Sequence, residues 1–157
     1  GPVEKSTVAY GHGISVTPMH LLLAVNAVTN GGFYVKPTLQ KRGVGVVRAE
    51  KVLEEEISER LRAIMFRVAE ETTAKQARVA GIKIGGKTGT AEKYGADGKI
   101  DRKRNVTAFV GIFPVDAPQY TIMVVLDEPK GYPRTASYNA VPVTGKILEV
   151  ILPLLFE

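Results

Sequence analysis

Three strand-like segments, at 83–93, 106–113 and 120–126, follow one another with only short polar connections between them. Asp97-Gly98 and Asp116-Ala-Pro118 supply the turn chemistry, and links this short favour antiparallel neighbours over crossovers. AFVGIF at 108–113 and IMVVL at 122–126 are continuously apolar, so the sheet they form is expected to be covered on both faces. The covers are legible too. Thr17-Pro18 reads as a helix start, with Leu21, Leu22, Val25 and Val28 on one face and Gly31 as the stop. Glu54, Glu55 and Glu56 suit a helix N-terminus, and Ile57, Leu61, Ile64, Met65 and Val68 make an apolar stripe, which predicts a buried helix over 54–70. Asn139 is expected to cap a last helix over 139–152, with Val143, Ile147, Val150, Ile151 and Leu154 against the sheet. An extended piece at 34–39 and a glycine-punctuated stretch through Val47 connect the first two helices. The expected product is a three-layer α/β (α+β) arrangement around an antiparallel sheet flanked by helices.

Composition narrows what such a fold can do. At 157 residues and 45% hydrophobic content the chain suffices for one domain with a core, or for part of a larger one. Gly1-Pro2 resembles the pair left by a tag-cleaving protease and is set apart from the fold. The net charge of +5 is spread without a run of five basic residues. Its densest patch, 99–104, reads as a solvated loop and has no interleaved aromatics, so no nucleic-acid partner is expected. There is no cysteine, and His12 and His20 are not spaced as a helical pair, so neither a disulfide scaffold nor a metal site is expected, and no cofactor. The most apolar stretch, 141–156, is broken by Glu149 and Pro153 and is shorter than the roughly 20 residues a bilayer span needs, so a soluble chain is expected.

The stretch GIKIGGKTGT at 81–90 carries two incompatible chemistries. Gly81, Gly86, Lys87 and Thr88 satisfy the phosphate-cradling pattern G-x-x-x-x-G-K-[ST], whereas Lys87-Thr88-Gly89 is the K-T-G triplet of enzymes that react with penicillin. A phosphate loop needs a buried strand before Gly81 and a helix starting at Lys87-Thr88. The flanks offer the polar, helix-like TAKQARVA at 73–80 before, and three glycines, Gly89, Gly95 and Gly98, after. YTIMVVLDE at 120–128 imitates the magnesium-binding strand of nucleotide hydrolases, but a third strand would lie between the two. On the strand reading, Gly85-Gly86 leave room for a ligand to approach the backbone, and Lys87, Thr88 and Thr90 offer one cation and two hydroxyls to an anion. The plain alternative is a glycine-rich edge strand with solvated polar residues.

YGHGISVTPMH at 10–20, GKTGTAEK at 86–93, DEPK at 127–130 and NAVPV at 139–143 occur in the order seen in class B penicillin-binding proteins. The chain resembles the C-terminal part of a division-type peptidoglycan D,D-transpeptidase domain, the FtsI group, over residues 3–157. The resemblance implies part of a penicillin-binding (β-lactamase-like) fold and a serine-type transferase that cross-links stem peptides in septal wall synthesis and is acylated by β-lactams. It implies a catalytic role for Lys87 and Thr90, with Lys87 aiding anion binding and proton relay and the Thr90 N–H forming half of an oxyanion hole. Thr88 and Thr90 would bind the ligand's carboxylate, and Gly89 would keep the strand open to it. It further implies stem peptides and β-lactams as ligands, membrane-bound division proteins as partners of the parent, and a parent at the periplasmic face of the inner membrane.

One departure is marked. The family's nucleophile lies in a Ser-x-x-Lys, and here Ser6, Ser15, Ser58 and Ser137 are followed three places on by Ala, Pro, Leu and Ala. Ser137-Tyr-Asn139 matches the family's Ser-x-Asn, but on the wrong side of the triplet, and reads as a helix cap. The expectation is a fragment whose nucleophile lies in an upstream part of its parent, inactive alone. A non-catalytic binding module, or a nucleotide hydrolase, are the alternatives.

Overall fold

The computed structural model describes residues 8, 14–43 and 49–156. The Gly1-Pro2 pair, His12, residues 10–13 of the YGHG motif and the glycine-punctuated positions 44–48 lie outside the described residues.

Helix α1, Pro18–Thr29, starts where the proline demands: Pro18 occupies its first turn and the Thr17 hydroxyl accepts from the His20 N–H at 3.2 Å. Gly31 and Gly32 follow with φ of 93° and 89°, a region that admits glycine cheaply. The extended piece is shorter than expected: β1, Phe33–Val35, pairs antiparallel with β2, Ala49–Lys51.

Helix α2, Glu55–Glu71, forms as expected but presents a different face. Ile57 and Ile64 are 46% and 57% exposed, while Ser58 and Ala69 are fully buried. Two contacts explain the rotation. The Ser58 hydroxyl accepts from the Gly31 N–H at 3.0 Å, and Arg62 donates to the Thr29 carbonyl at 3.0 Å, so polar side chains finish the orphan carbonyl end of α1. Further along, the helix backbone lies against the sheet itself: a Cβ at Gly85 would sit 3.1 Å from the Phe66 nitrogen.

The main sheet has the order β3 (Gly85–Tyr94), β4 (Ile100–Phe113), β5 (Tyr120–Asp127), all antiparallel. The middle strand is longer than the apolar pattern suggested. Residues 100–104, expected as a solvated loop, are strand, and the register shifts between Glu92 and Lys93 to accommodate them. Local hydropathy could not show this, because pairing of an exposed hairpin end needs only backbone groups. Phe109 to Phe113 are buried without interruption, so the central strand is covered on both faces as expected.

Helix α3, Ala140–Leu155, also turns a different stripe inward. Ala140, Val141, Thr144, Gly145, Leu148 and Leu152 are buried, whereas Val150 and Leu154 are 68% exposed and Ile147 is 37% exposed. Small residues win the buried face because a short 3₁₀ turn, Lys75–Ala77, packs directly on the helix: a Cβ at Gly145 would lie 2.3 Å from the Gln76 carbonyl oxygen. Phe109, Val124, Ala136, Ala140 and Val141 form one core cluster with Ala69, Ala74 and Ala77, and Phe113, Leu148 and Leu152 form a second with Ile84. Asn139 stands at the start of α3 but does not cap it through its side chain. Its amide donates instead to the Pro133 and Thr135 carbonyls, at 2.9 and 3.0 Å, closing the loop that precedes the helix. No helix among the described residues is long and apolar enough to cross a membrane.

Candidate active site on strand β3

Lys87, Thr88, Gly89 and Thr90 lie mid-strand in β3, which pairs with β4 alone among the described residues and so forms an edge of the sheet. No helix starts at Lys87, and β4 separates β3 from β5. The element before Gly81 is a 3₁₀ turn, Lys75–Ala77, and not a buried strand, so the phosphate-loop reading fails at both of its structural requirements.

The glycines divide into two roles. Gly85 and Gly86 were expected to admit a ligand, and they do not. Gly86 is covered by the Phe109 ring, whose Cζ would be 2.1 Å from an added Cβ, and Gly85 by the backbone of α2. Gly89, three residues beyond Gly86, has nothing within 4 Å of its Cβ direction. The space beside the strand opens at Gly89, on the same face as Lys87, beyond the part of β3 that the core has claimed.

Side chains alternate along a strand, so Thr88 and Thr90 leave one face of β3 while Lys87 leaves the other. The structure thus brings the two hydroxyls together and holds Lys87 apart, its ammonium bent back to donate to the Thr88 carbonyl at 2.8 Å. The Thr88 and Thr73 hydroxyls are 3.3 Å apart, and the Thr90 hydroxyl accepts from the Ala136 N–H at 3.1 Å. Thr73 and Ala136 were not foreseen as neighbours of the triplet. They approach across 15 and 46 residues of sequence, and no local pattern marks such a contact. Asn139 ends that same loop, where its amide closes on the Pro133 and Thr135 carbonyls. A recess of about 640 Å³ lies elsewhere, lined by Gly81, Ile82, Pro114, Leu152 and Phe156, near the opposite end of the strand from Thr90.

An ion-pair cluster ties together the outer ends of all three strands. Lys93 of β3 contacts Asp127 at 2.6 Å and Glu128 at 2.9 Å, and Arg104 of β4 reaches Glu128 at 2.8 Å. The Arg104 guanidinium, and then Lys93, hold the Glu128 carboxyl down at about 2. Its folded value lies below the ordinary carboxylate value of about 4.3, so its contribution is complete above that pH and is lost as pH falls towards 2. Glu128→Gln should therefore flatten the fall in urea midpoint between about pH 4.5 and 2 while leaving the behaviour above pH 5 parallel to wild type. Identical slopes in the two proteins below pH 4.5 would remove Glu128 from this role.

The sequence matches the penicillin binding protein transpeptidase domain family over residues 2–149. The chain belongs to the penicillin-binding protein transpeptidase family. Among its relatives in this family, it is 36% identical to stage V sporulation protein D of Bacillus subtilis over 164 residues, covering 98% of the chain and 25% of that protein. It is also 36% identical to "Probable peptidoglycan D,D-transpeptidase FtsI" of Caulobacter vibrioides, covering 97% of the chain and 29% of that protein. The chain thus spans about a quarter of the length of the curated relatives it matches. Its fold matches the transpeptidase domain of Burkholderia pseudomallei penicillin-binding protein 3 with a TM-score of 0.89 at 27% identity, covering 99% of the chain and 47% of that structure. The expected part of a penicillin-binding fold, an antiparallel sheet flanked by helices, is therefore the one observed among the described residues.

Proposed function

We propose that this chain carries the carboxylate-binding and oxyanion-binding strand of a serine-type peptidoglycan D,D-transpeptidase that acts in septal wall synthesis and is acylated by β-lactams. The observation that carries the reading is the open edge at Gly89, flanked by two hydroxyls on one face and a cation on the other. In the reaction, a serine oxygen attacks the carbonyl of the penultimate D-alanine and the C–N bond to the terminal D-alanine breaks. That residue leaves as the protonated amine. An amine from a second strand then attacks the ester and restores the serine.

Each member of β3 has a part in this scheme. Thr88 and Thr90 donate to the terminal carboxylate, and the Thr90 N–H meets the carbonyl oxygen as its charge grows. Lys87 unbends from the Thr88 carbonyl to lower the cost of bringing an anion to this edge. The nucleophile and its lysine come from the remainder of a longer parent, which is anchored to the inner membrane, works on its periplasmic side and joins the division proteins there.

Fluorescent penicillin tests the reading directly. The 157-residue chain should remain unlabelled, because none of its serines has an activating lysine three places on, while the full-length parent should form a covalent adduct that survives denaturing gel separation. A stable adduct at a serine of this chain overturns the assignment of the nucleophile to the rest of the parent. A folded parent that takes no label supports a non-catalytic binding module instead.

A further inference from the structure

The Thr90 hydroxyl is not set by its own strand. It accepts from the Ala136 N–H, and the segment bearing that N–H is held from beneath by β4. Asn105, only 6% exposed, donates its side-chain amide to the Arg134 carbonyl. Arg134 in turn donates to the Lys103 carbonyl at 2.9 Å, and the Asn105 carbonyl accepts from the Glu128 N–H at 2.9 Å. Register places these groups in one row: Thr107 is directly opposite Thr90, and Asn105 lies two residues along on the same face. Thr107 is fully buried, and its hydroxyl has no partner among the described residues, so it does not hold the loop.

A threonine hydroxyl has one proton and two lone pairs. With one lone pair engaged by Ala136, and no acceptor for the proton among the described residues, the Thr90 O–H remains available to donate to a ligand. A donor held in this way is bound more strongly by a charged carboxylate than by a neutral carboxamide. We propose that Asn105 is a positioning residue: by fixing the Arg134 carbonyl it seats the Ala136 N–H on Thr90, and so makes this strand select a ligand carboxylate over the neutral carboxamide. The inference rests on the transpeptidase reading and adds to it the residue that sets the polarity of Thr90.

The test compares benzylpenicillin with its carboxamide derivative as acylating agents of the full-length parent. A hydrogen bond to a charged group is worth roughly 10- to 100-fold, so Asn105→Ala should slow acylation by benzylpenicillin about tenfold and leave the carboxamide rate within about twofold. Thr107→Val, which removes the neighbouring buried hydroxyl at nearly constant shape, should leave both rates unchanged. Equal loss towards both compounds in Asn105→Ala, or no loss, overturns the proposal. Hydrogen exchange at the Ala136 amide gives a second reading that requires neither the Asn105 variant to fold nor the parent to acylate. Thr90→Val, at an exposed strand position, should speed exchange at Ala136 while the amides of 109–113 keep their protection. Unchanged exchange at Ala136 means that the Ala136 to Thr90 bond is absent, and the proposal falls with it. If wild type takes no benzylpenicillin, the transpeptidase reading fails, and the exchange result still decides whether Ala136 holds Thr90.

Discussion

Thr90→Pro in the full-length parent should reduce acylation by penicillin roughly 100- to 1,000-fold, the usual cost of deleting one oxyanion donor. Proline removes the backbone N–H and the hydroxyl together, which makes it the most damaging single change on β3. Two companions divide the loss. Thr90→Val keeps the N–H and deletes only the hydroxyl, so it should retain more activity than proline. Gly89→Ala keeps both Thr90 groups and adds one methyl where the structure has nothing within 4 Å, so folding should tolerate it while ligand approach suffers. Thr90 pairs with Thr107 across the ladder, so circular dichroism and thermal unfolding must first show the proline variant to be folded. A folded Thr90→Pro parent that acylates at the wild-type rate would remove Thr90 from the site.

Gly145→Ala is expected to be strongly destabilising, against the sign that helix propensity gives. Inside α3, alanine should be favoured over glycine by about 0.8 to 1.0 kcal/mol. The new methyl would lie 2.3 Å from the Gln76 carbonyl oxygen and 3.4 Å from the Ala77 Cα, both backbone atoms of the 3₁₀ turn packed on the helix. Overpacking of this kind costs about 1 to 3 kcal/mol and occasionally more, and here the turn cannot retreat without lifting buried Ala74 and Ala77 from the core. The clash outweighs the propensity. Urea unfolding of this variant should show a midpoint below wild type, and a midpoint at or above it would mean that the close approach of the turn to α3 is not as the structure has it.

Several features of the fold were legible because they depend on neighbours in sequence. Thr17-Pro18 fixed the start of α1, and the turns at 97–98 and 116–118 fixed three antiparallel strands, since caps and turns are satisfied within a few residues. The stretch GKTGT at 86–90 also identified its own strand. Its flanks were too polar before and too rich in glycine after to make the helix a phosphate loop requires, and β3 is the result.

Other features depended on distant partners. Counting apolar residues placed Ile57, Ile64, Val150 and Leu154 inward, yet both helices are rotated so that Ser58, Ala69, Thr144 and Gly145 face the interior. Periodicity reports that a helix has an apolar side. Which side is buried is decided by how closely another backbone must approach, and at Gly85 and Gly145 that approach excludes large side chains.

The same division runs through the site. By itself the sequence determined that Lys87, Thr88, Gly89 and Thr90 lie on one strand, because the residue types and their order suffice for that. Only the tertiary structure decided that Phe109 closes Gly86, that Gly89 stays open, and that Ala136 and Thr73 reach the two hydroxyls. These are contacts between segments separated by 15 to 46 residues, and their geometry is set by the packing of α2, α3 and the loop at 133–138 around the sheet, which no local stretch of sequence encodes.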